Sequence, residues 1–147
     1  MKIAMACDHG AVELKNKLKA HLQEKGMEVV DFGTHTTDSC DYPDYIAPAA
    51  QAVASGECER GIVLCTTGIG VSIVANKIKG IRCALLSDTM TARLTREHND
   101  TNMMALGAGV TGPMLAQEIV DVWLATDFSH SERHQRRIDK VMALEKL

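Results

Sequence analysis

Residues 61–86 read GIVLCTTGIGVSIVANKIKGIRCALL, and the order of residue types along this stretch decides the fold. Gly61 to Cys65 is a short apolar run with the composition of a buried strand, TTGIG interrupts it, SIVANK suits a helix, and Gly80 separates that helix from a second apolar run, IRCALL. The same alternation continues on both sides. Toward the N-terminus, Lys2 to Cys7 reads as a strand, and Leu14, Leu18 and Leu22 line one face of a helix over Val12 to Glu24 that Gly26 stops. Met27 to Phe32 is a second strand closed by Gly33, and the polar loop HTTDSCDYP leads to a helix from about Asp44 to Ala54. Toward the C-terminus, Ser87 or Asp88 can cap a helix over Thr89 to Glu97, and Met103 to Leu106 forms a last strand. Pro113 stands near the start of a helix ending close to Thr126, and Ser129 and Glu132 have capping-box spacing before a final helix through Leu144. Strands separated by helices of this length predict one α/β domain over residues 1–147, a predominantly parallel sheet covered on both faces.

Composition narrows the function. The chain has 147 residues, 46% of them hydrophobic, and a net charge of -3, which gives no electrostatic reason to hold nucleic acid. No long signal-peptide core and no run of about eighteen apolar residues is present, so no membrane association is expected and the cytoplasm is the expected compartment. The five cysteines, Cys7, Cys40, Cys58, Cys65 and Cys83, contain no CxxC pair and no zinc-finger spacing with the histidines; neither a disulfide framework nor a metal site is expected. Cys7 and Cys83 read as small buried hydrophobes.

In a doubly wound sheet, ligands bind beyond the C-terminal ends of the strands. Asp8 and His9 follow the first strand, Cys65 to Gly70 the third, Ser87 and Asp88 the fourth, and Gly107 to Gly109 the fifth. Gly68 and Gly70 allow a tight turn that brings amides close to a ligand at a helix N-terminus, yet the segment is neither GxGxxG nor GxxxxGK, so no nucleotide cofactor is indicated. Cys65 ends its strand beside this turn, where amides can stabilise a thiolate; from position alone it is a base, a nucleophile or an inert thiol. The Thr67 hydroxyl suits either a developing oxyanion or the turn itself, and Asp8 either a ligand or a helix cap. His98 opens the polar run HNDTN, as an acid–base group or as part of an ordinary turn. Arg133, Arg136 and Arg137 are spaced to share a broad helical face, fitting a phosphate or a solvated helix equally.

Taken in order, CDHG at 7–10, DYPDY at 41–45, CTTGIGVSIVANKIKGIRCAL at 65–85, HNDTN at 98–102 and RHQRR at 133–137 resemble the ribose-5-phosphate isomerase B family, which also holds galactose-6-phosphate isomerase subunits and allose-6-phosphate isomerases. The resemblance spans nearly the whole chain. It implies a Rossmann-like three-layer fold, a homodimer or a homotetramer built from it, active sites at a subunit interface, and a cofactor-independent, metal-free interconversion of D-ribose 5-phosphate and D-ribulose 5-phosphate through a cis-enediolate. Carried over residue by residue, it assigns proton transfer to Cys65, the enediolate to Thr67 and the amides of Gly68, Ile69 and Gly70, and ring opening to His98. Asp8, His9, Thr66 and Asn99 would contact the sugar, Arg133 and Arg137 its phosphate, and Tyr42 the edge of the site. Two positions depart from the family pattern: Thr66 stands where glycine is usual, and Gly109 where an arginine near the phosphate is common. A phosphohexose or rare-sugar isomerase and a noncatalytic sugar-phosphate binding subunit are the alternative readings.

Overall fold

Side chains along a strand alternate between faces, and here both faces are apolar. In the computed structural model, which describes all of residues 1–147, Ile3, Met5 and Cys7 of β1 (Lys2–Cys7) enter one core while Ala4 and Ala6 enter another. Ile62 and Leu64 alternate with Val63 and Cys65 along β3 (Arg60–Cys65), and Met104 and Leu106 with Met103 and Ala105 along β5 (Met103–Gly107). The shorter β2 (Glu28–Asp31) and β4 (Cys83–Leu85) are the edges of a five-stranded, all-parallel sheet in the order β2-β1-β3-β5-β4.

Right-handed crossovers put helices that travel in opposite directions along the sheet on opposite faces. α1 (Val12–Glu24), α4 (Thr89–Asn99) and α5 (Pro113–Ala125) pack on the face that buries Leu14, Leu18, Leu22 and Trp123. α2 (Pro43–Ala54) and α3 (Ile69–Lys77) cover the other through Ile46, Ala49, Val53, Val71 and Ala75. α6 (Glu132–Ala143) and a 3-10 turn (Leu144–Lys146) lie outside the three layers, with α6 against α4.

The elements match the sequence reading except at their ends. β2 and β4 are shorter than the apolar runs that predict them, and α3 begins at Ile69, immediately after the glycine turn. Asp88 caps α4, accepting the Thr91 amide at 2.6 Å. The capping box expected of Ser129 and Glu132 is not formed: Ser131 is the N-cap residue, and the Ser129 hydroxyl instead meets Nδ1 of His134 at 2.6 Å.

Chain reversal runs outward from the switch between β1 and β3, where Asp8 donates its amide to the Leu64 carbonyl at 3.1 Å. The end of β1 is anchored from the other side by Lys15, which is wholly buried. Its Nζ donates to Asp31 Oδ1 and to the Thr34 carbonyl, both at 2.8 Å, while the Thr34 amide donates to the Cys7 carbonyl and the Cys7 amide to the Gly33 carbonyl. Burial alone would raise the Asp31 pKa, but the bonds from Lys15, the Gly33 amide and Lys19 outweigh it and hold the carboxyl below its ordinary value. Such a group stabilises the fold above its unfolded-state value of 3.8, and the contribution is lost as pH falls through the depressed folded value. Asp31→Asn, which strands a buried ammonium, should therefore lower unfolding free energy by about 3–5 kcal/mol at pH 7. Urea titrations should show wild type and variant converging in acid; a gap that persists unchanged at pH 3 would contradict this account.

Candidate active site

Cys65 lies opposite Gly107 in the β3–β5 ladder, and the chain after each turns over the other. Ala108 donates its amide to the Cys65 carbonyl at 2.8 Å, and Gly109 to the Thr66 carbonyl at 2.9 Å. A Cβ at Gly107 would stand 2.6 Å from the carbonyl carbon and oxygen of Thr67, so glycine is required for this approach of backbone to backbone. Gly68 takes a left-handed φ of 78° and starts α3. This turns its N–H back onto Cys65, whose buried Sγ accepts it at 3.1 Å. The sulfur thus sits at a helix N-terminus with an amide directed at it. Burial pushes the Cys7 and Cys83 thiols up to about 12, with Lys15 countering it in part at Cys7.

The other sequence-selected residues at this end of the sheet converge on the turn. Asp8 accepts the Gly10 amide at 2.9 Å; this bond forms a turn ahead of α1, whose N-cap is Ala11. The Thr66 side chain fills the space between Gly10 and Gly109, touching the place where either would carry a Cβ. Thr67 is exposed and its Oγ1 accepts the Ile69 amide at 3.2 Å, which leaves the hydroxyl proton to be donated elsewhere. Tyr42 lies over Gly70, where a Cβ would meet its Cζ at 2.8 Å. His9 is exposed, with Nδ1 receiving the Cys40 amide at 3.3 Å.

His98, Asn99, Arg133 and Arg137 are brought together elsewhere, in a cavity of about 920 Å³ between α4, β4 and α6. Neither Cys65 nor Asp8 lines it. Arg133 and Arg137 bring two guanidinium groups to its wall against the single carboxylate of Glu145, a charge balance suited to an anion, whereas the Arg82 guanidinium is turned to the carbonyls of Asn99 and Asp100. Arg136 is outside this cavity, facing away with Glu132 and Asp139, so the broad three-arginine face divides in two. No group of three or more His, Cys, Asp or Glu side chains is placed to hold a metal ion.

The ribose/galactose isomerase family model matches residues 3–141. The chain belongs to the ribose/galactose isomerase family. Among similar members of the ribose/galactose isomerases, a putative sugar phosphate isomerase of Bacillus subtilis, YwlF, is 54% identical over 96% of this chain and 95% of its own. The ribose-5-phosphate isomerase B of Escherichia coli is 47% identical over 98% and 96%. A solved ribose-5-phosphate isomerase B from Clostridium thermocellum superposes with a TM-score of 0.97 at 50% identity, covering 99% of this chain and 98% of that one.

Two cavity residues escape a sequence reading. Arg82 lies inside the 65–85 stretch at the entry to an apolar strand but is given no role there, and His134 reads as a solvated or structural histidine, although it directly follows Arg133 and precedes Arg137 by three. His134 is buried, its ring 4.6 Å from that of His98. Burial, followed by the charges of Arg133, His98 and Arg137, pushes its pKa below the ordinary 6.5. Each factor disfavours the imidazolium, so at neutral pH Nδ1 is free to accept the Ser129 hydroxyl. An NMR titration should place His134 below 6.5, and Arg137→Met should move it upward by removing one of the cations; no movement would show that Arg137 takes no part in the shift.

Proposed function

We propose that this chain is a cofactor-independent aldose–ketose isomerase that interconverts D-ribose 5-phosphate and D-ribulose 5-phosphate, residues 1–147 acting as one catalytic domain in the cytoplasm. The observation that carries this reading is the Cys65 sulfur, held at the α3 N-terminus by the Gly68 amide beside the exposed hydroxyl residues Thr66 and Thr67. In the aldose-to-ketose direction the Cys65 thiolate takes the proton from C2 and returns it to C1, while a proton passes from O2 to O1, so no net redox occurs. The cis-enediolate between these steps carries negative oxygen, which the Thr67 hydroxyl and the amides from Gly68 to Gly70 stabilise more in the transition state than in the ground state. His98 opens the furanose ring by proton transfer. Asp8, His9, Thr66 and Asn99 contact the sugar, Tyr42 closes its edge, and Arg133 and Arg137 hold the phosphate.

These roles require the cysteine turn and the arginine cavity to meet, and a second copy of the chain supplies the missing half of each site. The apolar side chains left exposed on either side support this pairing. Ile69 and Ile73, one turn apart on α3, are 52% and 55% exposed, and Val141 and Leu144 at the cavity's far end 54% and 62%.

Cys65→Ala should remove isomerisation while leaving the circular dichroism spectrum and oligomeric state unchanged; a folded variant with near-wild-type kcat would refute the assignment of the base. Co-expressing Cys65→Ala with Arg137→Ala tests the shared site. If Cys65 and Arg137 act across the interface, random pairing rebuilds one intact site in each mixed dimer and restores about a quarter of wild-type activity. If both act within one subunit, no mixture is active.

A further inference from the structure

Each α-helix ends with carbonyls that lack intrahelical partners, and α4 ends at His98 and Asn99, both exposed on the cavity wall. The chain leaves α4 through Asp100, in a left-handed conformation with φ 44°. Arg82, from the entry to edge strand β4, closes this end. Its Nε donates to the Asn99 carbonyl at 2.9 Å and its terminal nitrogen to the Asp100 carbonyl at 2.7 Å. Arg82 is itself fixed through its backbone, because its amide donates to Asn102 Oδ1 and its carbonyl accepts the amides of Asn102 and Met103. On the far side of the turn, Arg96 donates to Asp100 Oδ1 at 2.8 Å and to the Thr101 carbonyl. Thr95 donates its hydroxyl to Asn99 Oδ1 at 3.1 Å, which leaves the Asn99 amide group to the cavity.

We infer that Arg82 is a positioning residue for the isomerase reaction: its two-carbonyl clamp on Asn99 and Asp100 holds His98 and Asn99 in the orientation that ring opening needs. The clamp is a planar fork set across two successive carbonyls, a geometry that lysine's single ammonium cannot reproduce. A cation at this helix C-terminus also opposes the negative end of the helix dipole, so loss of Arg82 loosens the last turn of α4 and its histidine first. Cys65 lies on β3, and the bonds that hold its turn, from the Ala108, Gly109 and Gly68 amides, do not use the Arg82 guanidinium.

The inference rests on the proposed roles of His98 and Cys65, and two measurements on one substrate separate it from them. In D2O, ribulose 5-phosphate gains deuterium at C1 when Cys65 takes a C1 proton, exchanges it with solvent and returns a deuteron to the enediolate, whereas net conversion to ribose 5-phosphate also depends on the aldose leaving through ring closure. Arg82→Gln should raise the ratio of C1 exchange to net conversion by roughly tenfold or more, up to the hundredfold that a displacement of about 1 Å can cost, with exchange itself little changed. Arg82→Lys, which keeps the charge, should raise it less. His98→Asn, run in parallel, should raise it at least as much as Arg82→Gln. If exchange and conversion fall together in both Arg82 variants, or neither changes, Arg82 is only a structural brace and the inference fails. An unchanged ratio in His98→Asn would overturn the ring-opening role of His98 and this inference with it. A wild-type protein that does neither reaction would overturn the isomerase reading. If Arg82→Gln does not fold, Arg82→Lys decides alone: a raised ratio supports the clamp and an unchanged one rejects it.

Discussion

The close approach of two backbones at the ends of β3 and β5 is the constraint on which the rest of the site depends. Cys65 opposite Gly107 fixes the register, and the absence of a Cβ at Gly107 lets the Thr67 peptide lie against it. Only with the chain at that distance can Gly68 turn through its left-handed conformation, begin α3 and direct an amide at the sulfur. The thiol's surroundings are therefore a product of sheet geometry rather than of neighbouring charged side chains. Because the turn is held by backbone bonds from Ala108 and Gly109, the exposed Thr67 hydroxyl is presented from a rigid support.

The fold was legible because every strand but the edges is an uninterrupted apolar run, as burial on both faces demands, and each helix is set off by glycine, proline or a polar loop. Element ends were less so. The pairing of β4 begins only where β5 begins, Cys83 opposite Met103, which the run IRCALL does not encode. At Ser129, spacing suggested a cap, but a buried histidine five residues on competes for the same hydroxyl, and a contact of that kind depends on how α6 docks. Lys15 shows the same limit: it is a charged residue beside the Leu14, Leu18 and Leu22 face, yet Asp31 and the Thr34 carbonyl draw it entirely inside.

The site divides along the same line. Residues in the first, third and fifth strand-end loops could be placed by topology alone, since a parallel sheet sends all of them to one edge. Arg133 and Arg137 could be placed on a helix but not against anything, and only the packing of α6 on α4 separates them from Arg136. That helix buries little beyond His134 and Ile138 and is tied at its far end by Glu145, which accepts the Gly80 amide at 2.9 Å. Such an element follows its docking partners, so its sequence carries less of its position than a core strand's does.

Thr66 couples the three loops through a shared wall. Its side chain stands where both Gly10 and Gly109 lack one, with its methyl 3.0 Å from the place of a Cβ at Gly109 and its backbone carbonyl oxygen 3.1 Å from it. A side chain entering at 109 would have to push that methyl aside by a few tenths of an ångström and would still lie against the carbonyl. Size at positions 10, 66 and 109 is therefore one joint constraint, and a change at any one of them is felt by the other two loops.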